Sequence, residues 1–317
     1  MAIGYARPMQ KAFFAYPAEP AHHAESIRHA CGLANRAGVE IAPWQQVSTI
    51  GLSINSVVES TIGSAPFLAA DLTYYNFNVL YEIGYAIAKG KPVLPTVNDA
   101  VERATERIEE LGIFDTIGYL RYQNSDELAD SIIDWRTKEW TGDYVRPRDH
   151  TKPLFILDTD MKTDFRNHIL NTVKNHGVQF RAFDPTETPR WPAGQAIAAI
   201  SASSGVILPL LGSDIKHHVI HNLRAAFTAG LAVGYGLEPL LIQLNNAPAP
   251  VDYRRFVKTQ HLVPRQSDMS TNTVKQLCSI IKGREQQIDP GEEDFLVKSI
   301  SDRLLLRMRA KVLLPTS

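Results

Sequence analysis

The chain has 317 residues, with 33 Lys and Arg against 34 Asp and Glu and a formal charge of −1 at pH 7. That balance offers no broad cationic field to a nucleic-acid polymer, and 44% hydrophobic with 21% charged residues is ordinary for a globular protein. The length suggests two domains, each able to bury its own core, and the two cysteines, Cys31 and Cys278, read as small buried apolar groups suited to a reducing cytoplasm.

The start, MAIGYARPMQKAFFAY, has no apolar run typical of a signal peptide. The most apolar stretch, 225–244, is interrupted by Gly230, Gly234, Gly236, Glu238 and Pro239 and reads as a helix followed by a strand, so no membrane partner is expected. From the N-terminus, AFFAY (12–16) reads as a strand, 21–37 as a helix with Ile27, Cys31, Leu33 and Ala34 near one face, and 39–43 as a second strand. A helix over 53–64 precedes the buried strand PFLAA (66–70), which ends at Asp71. A helix over 78–89 with Asn78 as N-cap, stopped by Gly90, leads to a strand at 92–97. Then come a helix at 102–111, a strand at 118–122 and a closing helix at 126–140 begun by the Asn124-Ser125-Asp126 cluster. Strands separated by helices at this spacing imply a parallel sheet covered on both faces.

The polar, proline-punctuated segment 142–152 reads as a linker, after which the order returns: strand 154–158, helix 163–176, strand 178–183, helix 191–203, strand 205–211, helix 217–231. Gly84 and Gly90 map onto Gly230 and Gly236 at one offset of 146, and Leu128 maps onto Val274 at the same offset. This register is expected of a tandem duplication. The expected organisation is a first domain over 1–145, a second copy over 150–284, and a helical tail over 285–317 that packs across the halves or onto a second chain in a homo-oligomer.

The segment ADLTYYNFNVLYEIGYAIAKGKPVLP (70–95) carries the chemistry. Ligands of open parallel sheets lie outside the carboxyl ends of the strands, which is where Asp71 falls, and the loop 73–78 would rim the same crevice. Capping at Asn78 would put Glu82 about one turn into a helix, near the positive end of its dipole, where the ionised carboxylate is favoured. Gly84 removes a side chain where that helix approaches ligand or sheet.

The string Asp71-Leu72-Thr73, Asn76, Asn78-Val79, Tyr81-Glu82-Ile83-Gly84, Gly90-Lys91-Pro92-Val93 resembles the signature of the nucleoside 2-deoxyribosyltransferase-like family. That family includes nucleotide N-glycosidases and is a cousin of the Toll/interleukin-receptor (TIR) fold. The resemblance implies a flavodoxin/TIR-like fold for the first half, and with the repeat the chain is expected to be α/β, with two tandem doubly wound parallel-sheet domains plus the C-terminal helical tail. It implies that Glu82 is the nucleophile, with Asp71 beside it, acting on a small-molecule nucleoside or nucleotide with no cofactor and no metal. Asn76, Asn78 and Thr73 would meet base or sugar, and Tyr16 and Gly84 would line the ligand. The sequence lacks the glycine-rich phosphate loop of the family's nucleotide-hydrolysing members, having Tyr16-Pro17-Ala18-Glu19-Pro20 instead; the helix Asp of those members falls on Val58, leaving neighbouring Glu59 as the candidate acid/base, with His22 and His23 at the entrance.

In the second copy the offset carries Glu82 to Thr228, which cannot serve as a carboxylate, so that copy is expected to be catalytically degenerate. His217 and His221 share a helix face but lack a third ligand type and read as surface residues. The expected function is hydrolysis or transfer at an N-glycosidic bond. A TIR-type NADase and a non-catalytic sensor of a nucleotide signal stand as alternatives.

Overall fold

Short apolar runs without polar alternation belong to strands buried on both faces, and in the computed structural model they form two parallel sheets. The structure describes residues 11–47, 50, 52–135, 144–244, 257–260 and 267–287. The first sheet holds β1 (Ala12–Ala15), β2 (Ile41–Pro43), β3 (Leu68–Asp71), β4 (Val93–Asn98) and β5 (Leu120–Tyr122) in the order β2-β1-β3-β4-β5. The second holds β6 (Leu154–Leu157), β7 (Phe180–Phe183), β8 (Gly205–Leu210), β9 (Leu240–Leu244) and β10 (Val257–Gln260) in the order β10-β9-β8-β6-β7. Counted from its own first strand, each sheet has the doubly wound order 2-1-3-4-5.

The helices are α1 (Ala21–Arg36), α2 (Ile54–Ser64), α3 (Phe77–Ala88), α4 (Ala104–Leu111), α5 (Ser125–Trp135), α6 (Asp164–Asn175), α7 (Ala193–Ser201), α8 (His218–Gly234) and α9 (Ser267–Gln287). Side chains of a strand alternate between faces, and β1 divides accordingly. Ala12 and Phe14 enter a core with α1 and α5, whereas Phe13 and Ala15 enter one with α2, α3 and α4. This second core runs without interruption through α7 and α8 to Phe155, Leu157, Val206 and Leu208 of the other sheet, while α6 and α9 cover that sheet's outer face. The two halves therefore share their central core, where composition alone suggests one core each. Helix α3 shows why: every residue from Val79 to Ile87 is buried, and a helix apolar all round needs partners on every side.

That partner is α8. A Cβ on Gly84 would stand 2.2 Å from the Phe227 carbonyl oxygen, and one on Gly230 would stand 2.0 Å from that of Tyr81. Only glycine lets the two backbones approach this closely.

Local hydrogen bonds shift several boundaries. The second strand is shorter than 39–43, because the Asn35 side chain holds Ile41 N and O and Val39 N closes the end of α1 on Ala34 O. Asn76, not Asn78, caps α3: its Oδ1 accepts from Asn78 N and Val79 N. The described part of the expected linker is fastened to the second half, through Arg146 N to Ser201 Oγ and Asp149 N to Ala202 O. The end of the expected helix at 126–140 and the whole 285–317 tail except 285–287 lie outside the described residues. Among the described residues, no helix is long and apolar enough to cross a membrane.

Candidate functional site

Asp71 ends β3 with no exposed surface. A buried carboxylate is costly unless its lone pairs are filled, and here they are. Oδ1 accepts from His23 Nε2 at 2.8 Å and Thr73 N at 3.1 Å; Oδ2 accepts from Thr73 Oγ1 at 3.1 Å and Tyr122 OH at 2.7 Å. The acceptor fixes the proton of His23 on Nε2. Burial, and then the Asp71 charge, push the Tyr122 hydroxyl well above its ordinary pKa.

Asp71 thus ties α1, β3 and β5 together, with no lone pair left for a sugar hydroxyl. A catalytic place for Asp71 would require one of these bonds to open. Thr73 belongs to the same frame, since its Oγ1 also accepts from Asn98 N at 2.9 Å. His23 was weighed only as an entrance residue, yet it is buried while His22 is exposed. The spacing of His23, Ile27, Ala30 and Ala34 along the buried side of α1 is the signal that locates it.

Several of the remaining expected residues have structural partners. Asn76 spends its carbonyl oxygen on the cap of α3. The Tyr16 hydroxyl donates to Gln45 Oε1 at 3.3 Å, its ring meets Trp44 and Phe14, and burial raises its pKa. Glu59 accepts from the Tyr81 hydroxyl at 2.8 Å, which joins α2 to α3. Gly84 faces α8 rather than a ligand.

What stays near the carboxyl edge of the sheet is one face of α3. Asn78 and Glu82 are four residues apart and share that face. The Asn78 Oδ1 atom is buried without a hydrogen-bond partner. Glu82 is 6% exposed. Because the cap lies at Asn76, Glu82 sits in the second turn, where the dipole advantage expected from a cap at Asn78 has faded. The solvent-open concavity on α9, lined by Asn272, Lys275, Gln276, Ser279 and Ile280, lies on the outer layer of the second sheet, away from this edge.

The second half fills the corresponding positions. Thr228 Oγ1 donates to Arg224 O at 2.7 Å and accepts from Trp191 Nε1 at 3.4 Å, while the indole packs on Phe155 and Phe183. Arg166, 143 residues after His23 and likewise third in its helix, forms a two-pronged pair with Asp158 at the end of β6. The expectation of surface histidines fails at His221, which is buried with Nε2 on the Pro209 carbonyl at 2.7 Å, its pKa pushed down by burial to about 4. No group of three or more His, Cys, Asp and Glu among the described residues is arranged to hold a metal ion. No family model matches the chain, and no curated protein matches it.

Proposed function

We propose that the chain acts on the N-glycosidic bond of a nucleoside, nucleotide or NAD-like small molecule, with Glu82 as nucleophile. One observation carries the proposal: a buried carboxylate and a buried, partnerless amide oxygen, Glu82 and Asn78, lie one turn apart on the helix that leaves the carboxyl edge of β3. An acceptor of that kind suits a sugar hydroxyl donor, since a buried polar atom without a partner is costly until a ligand supplies one.

In this mechanism a Glu82 oxygen bonds to the anomeric carbon as the bond from carbon to base nitrogen breaks, and the base leaves with the bonding electron pair and takes up a proton. Water, or a second base, then attacks the glycosyl ester and frees the carboxylate, as in retaining glycosidases. Glu59 supports Tyr81 beside the reacting residue. The loop 16–20 has no glycine, which does not favour a preference for a 5′-phosphate.

The proposal extends to the second half, read as a duplicated and degenerate copy: the shared strand order and the offset of 146 support this, and Thr228 with Trp191 stands where the nucleophile would be. A reducing cytoplasm suits the two buried thiols. Incubation of the protein and a Glu82→Gln variant with deoxynucleosides, nucleoside monophosphates and NAD, with chromatography for free base, tests the reading. Base release by the wild type alone is expected, and release by neither protein removes the reading.

A sensor for an intact nucleotide is the second reading. It draws on the His23 and Asp71 bridge across the strand reversal of the first sheet, which a ligand would have to open. Binding of a nucleotide that is recovered unchanged favours it.

A further inference from the structure

We infer that the face of α3 centred on Gly84 is a two-fold self-association surface, occupied in this chain by its own second half instead of by a second subunit. The contact is reciprocal to the residue. Gly84 meets Phe227 and Leu231, Gly230 meets Tyr81 and Tyr85, and each of these positions lies 146 residues from its mate. That is the relation of an isologous interface, in which residue i touches j and j touches i. Two unrelated helices that merely cross have no reason to pair equivalent positions.

The backbone repeats with the same register beyond the crossing. Gly90 N to Ile87 O and Lys91 N to Ala86 O close α3, and Gly236 N to Val233 O and Leu237 N to Ala232 O close α8. Gly90 and Gly236 both have positive φ, 67° and 80°, the left-handed ending that favours glycine.

The symmetry is broken at the helix starts, where α8 (His218–Gly234) begins earlier than α3 (Phe77–Ala88) does, and in side chains, the latter in a way that favours the internal pairing. Asn78 stands where α8 has Arg224. Arg224 crosses to the first half and donates from Nε to Leu111 O at 3.0 Å and from Nη2 to Glu110 O at 3.4 Å, two carbonyls at the end of α4 that lack helical partners. Its Nη2 also donates to Pro189 O at 2.7 Å. An Asn78 facing α4 of another chain is shorter and has fewer donors than Arg224, and could not match this set of bonds, so the first half binds the second in preference to a copy of itself. The working unit is then one chain with one Glu82, in place of the homo-oligomer suggested by the sequence. This inference stands apart from any reaction at Glu82.

The test places a protease site after Gly142 of the full-length chain, cleaves the folded protein and follows it by sedimentation velocity at micromolar concentration. The uncut chain is expected at 35.3 kDa across concentrations, and the cut chain as one particle of the same mass. A Gly230→Leu variant, cut in the same way, is expected to separate into two fragments. Dissociation of the cut wild type, or a stable dimer of the uncut chain, overturns the inference, and neither measurement depends on the variant folding. A cut Gly230→Leu protein that remains whole also overturns it.

Discussion

His23 Nε2 lies 2.8 Å from Asp71 Oδ1, and this contact joins the helix on the outer face of the first sheet to the end of β3, beside the point where the strand order reverses. The order turns between β1 and β3, the place where open α/β sheets take their ligands. A hydrogen-bonded group occupies that place in both halves: His23 with Asp71 in one, Arg166 with Asp158 in the other.

Asp71→Ala leaves the Tyr122 hydroxyl and the His23 ring buried without their acceptor. The expected cost is about 3 kcal/mol of unfolding free energy, against about 1 kcal/mol for Tyr122→Phe, which removes a single donor. Urea denaturation of the two variants measures both. Equal, small effects would return Asp71 to the list of ligand residues.

His221 gives a pH dependence of known sign. Its folded pKa, about 4, lies below the usual 6.5 of an unfolded histidine, so between these values the unfolded chain binds more protons. Stability from this residue is complete above about pH 6.5 and is lost as pH falls toward 4, by about 3 kcal/mol in all. Denaturation midpoints from pH 7 to pH 4 should fall more steeply for the wild type than for His221→Gln. Parallel slopes contradict the account.

Burial raises the Cys31 thiol to about 12 and the Cys278 thiol to about 11. Thiolate is the reactive form, so neither cysteine should react with a thiol reagent in the native protein at neutral pH. Both should react within minutes in denaturant. Fast native labelling of either one would show that its site opens.

Trp191→Ala empties the space between Phe155, Phe183 and Thr228. Truncation of a buried aromatic costs about 3 to 5 kcal/mol, and thermal unfolding should register it. Because Trp191 belongs to the core shared by both halves, the loss should appear as one cooperative transition shifted down, not as separate melting of the second half.

Much of the architecture was legible because parallel strands are so apolar. The runs AFFAY, PFLAA and GVILPLL stand out against helices of period 3.6, and the glycines at 84, 90, 230 and 236 keep one offset of 146 between the halves. The start of α3 was misread by two residues, because Asn76 and Asn78 are equally good caps by type and only backbone geometry decides between them.

Within the candidate string, the partners of each side chain were not legible. Asp71, Thr73, Tyr16 and Glu59 are chemically able to meet a sugar, and nothing local in the sequence states that His23, Tyr122, Gln45 and Tyr81 engage them first. Those partners lie 22 to 51 residues away, beyond the reach of periodicity. Gly84 was expected where α3 approaches ligand or sheet, and the approaching element is instead a helix from the other half.

The most direct measurement is the rate of base release by wild-type protein and by Glu82→Gln at equal concentration, with circular dichroism to establish that both are folded. A substrate from the nucleoside, nucleotide and NAD panel is expected to be cleaved by the wild type and at least about 1,000-fold more slowly by the variant, as loss of a covalent nucleophile requires. Equal rates in the two proteins, or no cleavage by a folded wild type, would contradict the assignment of Glu82.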